Sequence, residues 1–320
     1  MDRFLTADDL EKALRQDVMD GLTGEPKSLP PKWFYDERGS ALFEEITQLA
    51  EYYPTRCERA IIAERAPEIA VATRADTLLE LGAGSGEKTR LLLDAFDAFD
   101  GTLGEYVPVD VSGDFLVAAA DQIAGDYPAL AVRAVVADYE QHLHLLPTGG
   151  RRLIAFLGGT IGNMMPAKRI GFLQGLRATM APGDTLLFGA DLVKEKARLV
   201  RAYDDALGVT AEFNRNVLHV INDRLGGDFV PEAYEHVAVW DAGNEWIEMR
   251  LRSTVDQVVR IEVLDLTVRF AEGEEMRTEI SSKFRMERLS AELEAAKLTL
   301  DRCWTDADGD FSLVLAAPAA

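Results

Sequence analysis

Between about residues 60 and 193 the chain alternates short apolar runs with stretches whose apolar residues recur every three or four positions. The runs Thr77–Leu81, Tyr106–Val109, Ala131–Val136, Leu153–Leu157 and Thr185–Phe188 read as buried strands. Lys88–Phe96, Gly113–Ile123 and Ala167–Met180 carry the helical period between them. Strand and helix alternating in this way predict an α/β fold with a doubly wound, mostly parallel sheet. After Asp191 the rhythm changes. Lys194–Asp205 and Thr210–Arg224 read as helices, and Tyr234–Trp240, Trp246–Arg252 and Val258–Phe270 as strands of an α+β region. A helix over Met286–Ala296 and a strand over Phe311–Ala316 then return to the edge of the first sheet. The expected organisation is a core of residues 59–193 completed by 285–320, with 1–58 and 194–284 forming a second domain.

The first strand runs straight into glycines: Thr77-Leu-Leu-Glu80-Leu-Gly82-Ala-Gly84-Ser85-Gly86-Glu-Lys88-Thr89. Such a strand–turn–helix lets backbone N–H groups approach a ligand where a Cβ would collide with it. A dinucleotide fingerprint needs its third glycine three residues after the second, but Glu87 stands there. A P-loop needs Gly-Lys-Thr in sequence, and Glu87 separates Gly86 from Lys88. The remaining reading, acid-x-Gly-x-Gly-x-Gly, resembles the turn of S-adenosylmethionine (SAM) dependent methyltransferases. SAM has no phosphate, so a carboxylate such as Glu80 near its cationic methionine end is harmless.

Further acids fall at strand ends. Asp110 ends the second strand, where a carboxylate can accept both ribose hydroxyls of an adenosine. Asp138 ends the third, placed to accept from an adenine amino group, with Tyr139 beside the ring face. NAD and SAM both call for the first of these acids, so Asp110 argues for adenosine without choosing between them. Each acid alone would pass for a solvated strand end; together with the glycine turn the two mark three successive strand ends, which chance would not arrange.

Charge narrows the partners. With 34 basic and 55 acidic residues the net charge is −21, which repels nucleic acid and anionic membranes. The N-terminus has early acids and no apolar core of a signal peptide, and no stretch reaches the roughly 18 apolar residues of a membrane span. A cytoplasmic protein is expected. Cys57 and Cys303 suggest neither a disulfide framework nor a metal cluster, and His142-x-His144 lacks a third ligand nearby, so no metal is expected.

With these residues placed, longer runs stand out. They include Pro31-Lys-Trp-Phe-Tyr35-Asp-Glu-Arg-Gly39-Ser, Glu51-Tyr52-Tyr53-Pro54-Thr55-Arg56 and Phe156-Leu-Gly-Gly159-Thr160-Ile-Gly162-Asn163. Leu199-Val-Arg-Ala-Tyr203-Asp-Asp205 and Glu275-Met276-Arg-Thr-Glu279-Ile-Ser281-Ser-Lys-Phe284 belong with them. Together, over nearly the whole chain, they closely resemble the bacterial histidine-specific methyltransferases of ergothioneine biosynthesis. The resemblance implies a class I SAM methyltransferase domain, a Rossmann-like doubly wound sheet, with a second α+β domain that binds the substrate. It implies trimethylation of L-histidine to hercynine.

Carried over residue by residue, the resemblance puts SAM at Gly82, Lys88, Asp110, Asp138 and Tyr139. It puts histidine at Tyr52, Asn163, Tyr203, Glu279, Ile280 and Ser281, with Tyr35, Phe43, Gly159 and Met249 lining the pocket. Gly86 stands where relatives often have serine, and Tyr139 where phenylalanine is common; backbone freedom and an aromatic face survive both changes. Asn163 and Tyr203 offer neutral donors to a carboxylate. Glu279 and Ser281, two apart on a strand, share a face and can reach one imidazole. Phe43 and Tyr52 suit a growing quaternary ammonium through cation–π attraction. The amine must be neutral to attack, and no histidine recommends itself as base. Tyrosine hydroxyls, Tyr35 and Tyr52, or a water relay are the candidates. The expected protein is a monomeric enzyme of a small molecule. A neighbouring possibility is methylation of another aromatic amino acid such as tryptophan.

Overall fold

The computed structural model describes residues 1–84, 86–99 and 103–319; Ser85 of the glycine run lies outside them. The chain divides into two compact units: Met1–Thr6, Pro54–Leu192 and Phe284–Ala320 form the first, and Ala7–Tyr53 with Val193–Lys283 the second.

The first unit is built on one sheet. Across it stand Asp2–Arg3, Val135–Val136, Glu105–Asp110, Thr77–Leu81, Arg152–Phe156, Thr185–Asp191, Phe311–Pro318 and Leu298–Thr305, with Ala131–Val132 beside Glu105–Asp110. The pairings are parallel as far as Thr185–Asp191, and the last two strands run antiparallel. Every residue of Thr77–Leu81 and Arg152–Phe156 is buried, as a sheet covered on both faces requires. Leu79 and Leu81 pack with Phe172, Leu176, Leu289 and Leu293 on one face. Leu78 packs with Ile62, Ile69, Leu93 and Phe96 on the other. Helices Pro166–Thr179 and Met286–Ala295 therefore cover one face, and Tyr53–Thr73 and Glu87–Phe99 the opposite one.

Two buried ion pairs hold the layers. Arg152 forks onto Asp184 at 3.0 and 2.6 Å, and Arg169 onto Glu292 at 2.7 Å from each nitrogen. Desolvating such ions is repaid only by this kind of complete bonding.

The sequence pattern differs from the fold in places that have a physical reason. Ala131–Val136 is two short strands, interrupted where Arg133 donates its N–H to the Tyr106 carbonyl. Val258–Phe270 is a hairpin, Gln257–Ile261 with Leu266–Phe270, turned by Glu262–Leu264 and by Asp265 at φ 46°. Strand Leu298–Thr305 escapes the apolar pattern because it is an edge strand with an irregularity between Leu300 and Arg302.

In the second unit a three-stranded antiparallel sheet, Glu275–Ser282, Trp246–Ser253 and Tyr234–Asp241, packs against helices Lys196–Tyr203 and Val209–Leu225. The Asp205 carboxylate accepts the N–H groups of Val209 and Thr210 at the start of the longer helix. Asn216 on that helix donates to the Phe34 carbonyl and to Asp36, which itself caps helix Glu37–Gln48.

Gly189 sits mid-strand with no room above it. A Cβ there would stand 1.9 Å from a Glu58 carboxylate oxygen and 2.9 Å from the Phe311 ring. Gly189→Ala should therefore destabilise the chain by about 1–3 kcal/mol through overpacking. Urea unfolding of the two proteins measures this; equal midpoints would show that Glu58 and Phe311 move aside freely.

Candidate active site

The glycine turn leaves the central strand at its carboxyl end, where doubly wound sheets bind ligands. Gly82, Gly84 and Gly86 have φ of 72°, 53° and 70°, values that side chains resist. A Cβ at Gly84 would meet nothing within 4 Å, so this backbone faces open space. A Cβ at Gly82 would lie 3.9 Å from the Tyr139 ring. Beneath the turn Glu80 is buried, accepting from Thr89 Oγ1 and from the Tyr106 hydroxyl, each at 2.6 Å. Burial raises its pKa to about 7, against the pull of those two donors. Glu80 is thus a structural clasp under the turn, joining the strand before it to the helix after it and to the neighbouring strand.

Asp110 ends its strand half-buried beside the glycine turn. It accepts the Ser112 N–H at 2.9 Å and further N–H bonds from Gly84 and Val111. Burial raises its pKa and those bonds oppose the rise. Asp138 follows Val135–Val136; its two oxygens take the Glu140 N–H at 2.8 Å and the Gln141 amide at 2.9 Å. Tyr139 packs edge-on against Phe156 and Phe172, with centroids 5.3 and 5.9 Å away. An acid at each of two strand ends, an aromatic face and an open glycine backbone fit an adenosine group.

Lys88, on the first turn of helix Glu87–Phe99, pairs its ammonium with Glu58, whose side chain is 1% exposed. Both Glu58 oxygens also accept the Gly158 N–H at 2.9 Å, at the end of the Arg152–Phe156 strand. Sequence reasoning missed Glu58, and an acid within a helical run carries no signal of it. Gly159, at φ 67°, starts the short turn Thr160–Asn163, with a Cβ position 3.6 Å from the Phe311 ring. Asn163 ends that turn half-buried and caps no helix, since Met165 and Pro166 open the next one.

The second unit carries the rest. Glu279 and Ser281 are buried on one strand, with Met249 directly across from Glu279 and Ile247 across from Ser281. Ile280, between them, turns its side chain to the opposite face, so only its backbone is on their side. Tyr203 ends its helix with its hydroxyl 2.7 Å from Ser281 Oγ. Lys283, fully buried, donates to both, each at 2.9 Å. Sequence reasoning missed it, although Glu279-x-Ser281-x-Lys283 continues the period of two. Burial pushes the Glu279 carboxyl up to about 8, with Lys283 pulling it back. Tyr35, Phe43, Tyr52 and Tyr203 form a chain of edge contacts with centroids 5.5, 6.2 and 6.1 Å apart. Tyr35 is the exposed end and Tyr52 is buried.

Two of the histidines, His236 and His142, keep structural duties. His236 accepts from Asn214 at 2.8 Å and donates to the Tyr203 carbonyl at 2.8 Å; burial lowers its pKa, so it serves as a neutral brace. His142 Nδ1 accepts the Asp138 N–H. Cys57 lies with Asp306 and Asp310, their candidate ligand atoms all within 4.8 Å, which the wide sequence separation concealed. Asp306 there accepts the N–H groups of Asp310 and Phe311, each at 2.8 Å, and so shapes the turn before the Phe311–Pro318 strand.

A family model for SAM-dependent, histidine-specific methyltransferases matches residues 14–318. The chain belongs to this family. Among curated proteins it is 55% identical over 313 residues to the histidine N-alpha-methyltransferase of Mycolicibacterium smegmatis, covering 98% of this chain and 97% of that one. The protein of the same name from Mycobacterium tuberculosis is 56% identical over 305 residues, 95% of each chain. Ergothioneine biosynthesis protein 1 of Neurospora crassa is 33% identical over 206 residues, 63% of this chain and 23% of that one. The protein is thus a methyltransferase with SAM as donor. No helix among the described residues is long and apolar enough to cross a membrane.

The Glu80 clasp gives this methyltransferase a testable pH dependence. Its carboxyl titrates at about 7 when folded, against an ordinary 4.5. The stability tied to the protonated form is complete below the ordinary value and is lost as pH rises through the folded one. Glu80→Gln, fixed in the neutral form, should flatten the unfolding free energy between about pH 4.5 and about pH 7, by up to about 3 kcal/mol. Urea unfolding of both proteins across that range checks it; parallel pH profiles would contradict it.

Proposed function

We propose that this chain transfers methyl groups from SAM to the α-amino nitrogen of L-histidine, three in succession, giving hercynine as a step of ergothioneine biosynthesis. The observation carrying the substrate choice is the pairing of Glu279 and Ser281 on one buried strand face. A carboxyl group and a hydroxyl there can bond both nitrogens of a ring with one N–H and one bare nitrogen, whereas an indole offers only an N–H. The relatives at 55% and 56% identity support the same choice.

When bound, SAM supplies an electrophilic methyl group on a good leaving group, so the chain's own work is binding, orientation and exclusion of water. Asp110 accepts from the ribose hydroxyls, Asp138 from the adenine amino group, and Tyr139 lies against the adenine. Gly82 gives backbone access, and Lys88, braced by Glu58, holds the methionine carboxylate. Asn163 and Tyr203 donate to the histidine carboxylate, while Gly159 leaves room at the turn that carries Asn163. Met249 walls the imidazole pocket opposite Glu279. Phe43, Tyr52 and Tyr35 offer ring faces to the amine as it becomes a quaternary cation. The proton released when the ammonium turns neutral passes to solvent through the hydroxyl of Tyr35 or Tyr52, which hands its own proton on to water as it accepts, or through a water relay. The enzyme works as a cytoplasmic monomer and without a metal in this reading.

Asp110→Ala should leave a folded chain that has lost SAM binding by at least tenfold, since hydrogen bonds to a charged acceptor contribute about 1.5–3 kcal/mol each. Calorimetric titration with SAM measures it, and an unchanged affinity would move the nucleoside elsewhere.

Competitive methylation of equimolar histidine, tryptophan, phenylalanine and tyrosine tests the substrate, with products counted by mass spectrometry. Wild type should methylate histidine three times and leave the others nearly untouched. Glu279→Ala should lose most histidine activity, because the site's remaining polar groups lose their partner. Adding Met249→Val should shift preference toward tryptophan. Wild-type preference for any other amino acid would sink the assignment while leaving methyl transfer intact.

A further inference from the structure

Lys283 stands behind the two hydroxyls of this cluster, those of Tyr203 and Ser281. It lies one residue beyond strand Glu275–Ser282, fully buried, with its backbone N–H on the Glu245 carbonyl at 2.7 Å. Its ammonium sits 4.6 Å over the Tyr203 ring and within 2.9 Å of both the Tyr203 hydroxyl and Ser281 Oγ. Those two oxygens are 2.7 Å from each other, so the three groups close a triangle.

The protons in that triangle can be counted. An ammonium donates and never accepts, so Lys283 occupies a lone pair on each hydroxyl. The third edge consumes one hydroxyl proton. When a carboxylate meets Tyr203 and an imidazole nitrogen meets Ser281, both protons must turn to the substrate and that edge opens. Both oxygens then still hold a hydrogen bond, the one from Lys283. With lone pairs facing the ammonium, both hydroxyls present protons outward, which suits a carboxylate at one and a bare ring nitrogen at the other. Glu279, an acceptor on the same strand face, then takes the ring N–H.

We propose that Lys283 is a positioning residue for substrate recognition: it holds Tyr203 and Ser281 as donors, so that the pocket selects a carboxylate-bearing molecule with a neutral imidazole over isosteric rings lacking the bare nitrogen. This rests on the histidine reading of the site. Lys283 acts through Tyr203 and Ser281, so its loss falls on substrate affinity more than on turnover.

The test is steady-state kinetics of the full chain at saturating SAM, with L-histidine and with β-(2-thienyl)alanine, whose ring has no nitrogen. Lys283→Met and Lys283→Leu both remove the donor. Whichever keeps wild-type SAM affinity and a thermal midpoint within about 5 °C of wild type is read. The expected result is a KM for histidine raised about tenfold or more, a kcat within about threefold, and a histidine-over-thienylalanine preference reduced about tenfold. An unchanged KM and preference in a folded variant overturns the proposal. So does loss of folding in both variants, which would make Lys283 purely structural. Wild type inactive on histidine removes the substrate reading itself, and this inference with it.

Discussion

Glu80 holds three elements at the point where the chain makes its most demanding turn. Its buried carboxylate receives Thr89 from the following helix and Tyr106 from the neighbouring strand, both at 2.6 Å. Between the acid and Thr89 runs the glycine turn, where Gly82, Gly84 and Gly86 take left-handed conformations that glycine adopts without steric cost. The strand on one side and the helix on the other are therefore locked together before any ligand is considered. Asp110 takes its place from the same arrangement, accepting an N–H from Gly84 within the turn. Removing a carboxylate from water is costly, and these donors offset part of that cost while also setting geometry.

The second unit repeats the device with a different chemistry. Its sheet places Glu279, Ser281 and the adjoining Lys283 at alternate positions, and helix Lys196–Tyr203 brings the Tyr203 hydroxyl to them. Behind Tyr203, His236 donates to its backbone carbonyl, and Asn214 ties His236 to Thr278. The recognition groups thus stand on elements braced by complete hydrogen bonding, and a side chain held from behind loses little freedom when a ligand arrives. The aromatic edge contacts from Tyr35 to Tyr203 add a surface whose ring faces attract cations.

Much of this was readable from residue order. Period-two and continuous apolar runs mark the parallel strands because burial on both faces excludes polar side chains from them. The glycine spacing told one nucleoside turn from another. Strand-end acids at Asp110 and Asp138 follow from the strand positions. The less legible features are those in which partners come from distant sequence. Glu58 and Lys88 are 30 residues apart and Arg169 and Glu292 are 123 apart, and no local pattern couples them. Leu298–Thr305 was missed because an edge strand need not be apolar, and the hairpin within Val258–Phe270 because a short turn of Glu262–Leu264 breaks no period.

By itself, then, the order of residues determined most of the strands and helices, which turn can admit a nucleoside, and which acids stand at strand ends. Those are local properties, set by hydrophobic period and by the conformational freedom of glycine. Only the tertiary structure decided what each polar side chain does once it is buried. It made Glu80 a clasp under the turn, gave Lys88 an acid to lean on, and set Lys283 behind two hydroxyls. The reason is that a buried polar group takes its role from whichever donors and acceptors converge on it, and folding brings those together from anywhere in the chain.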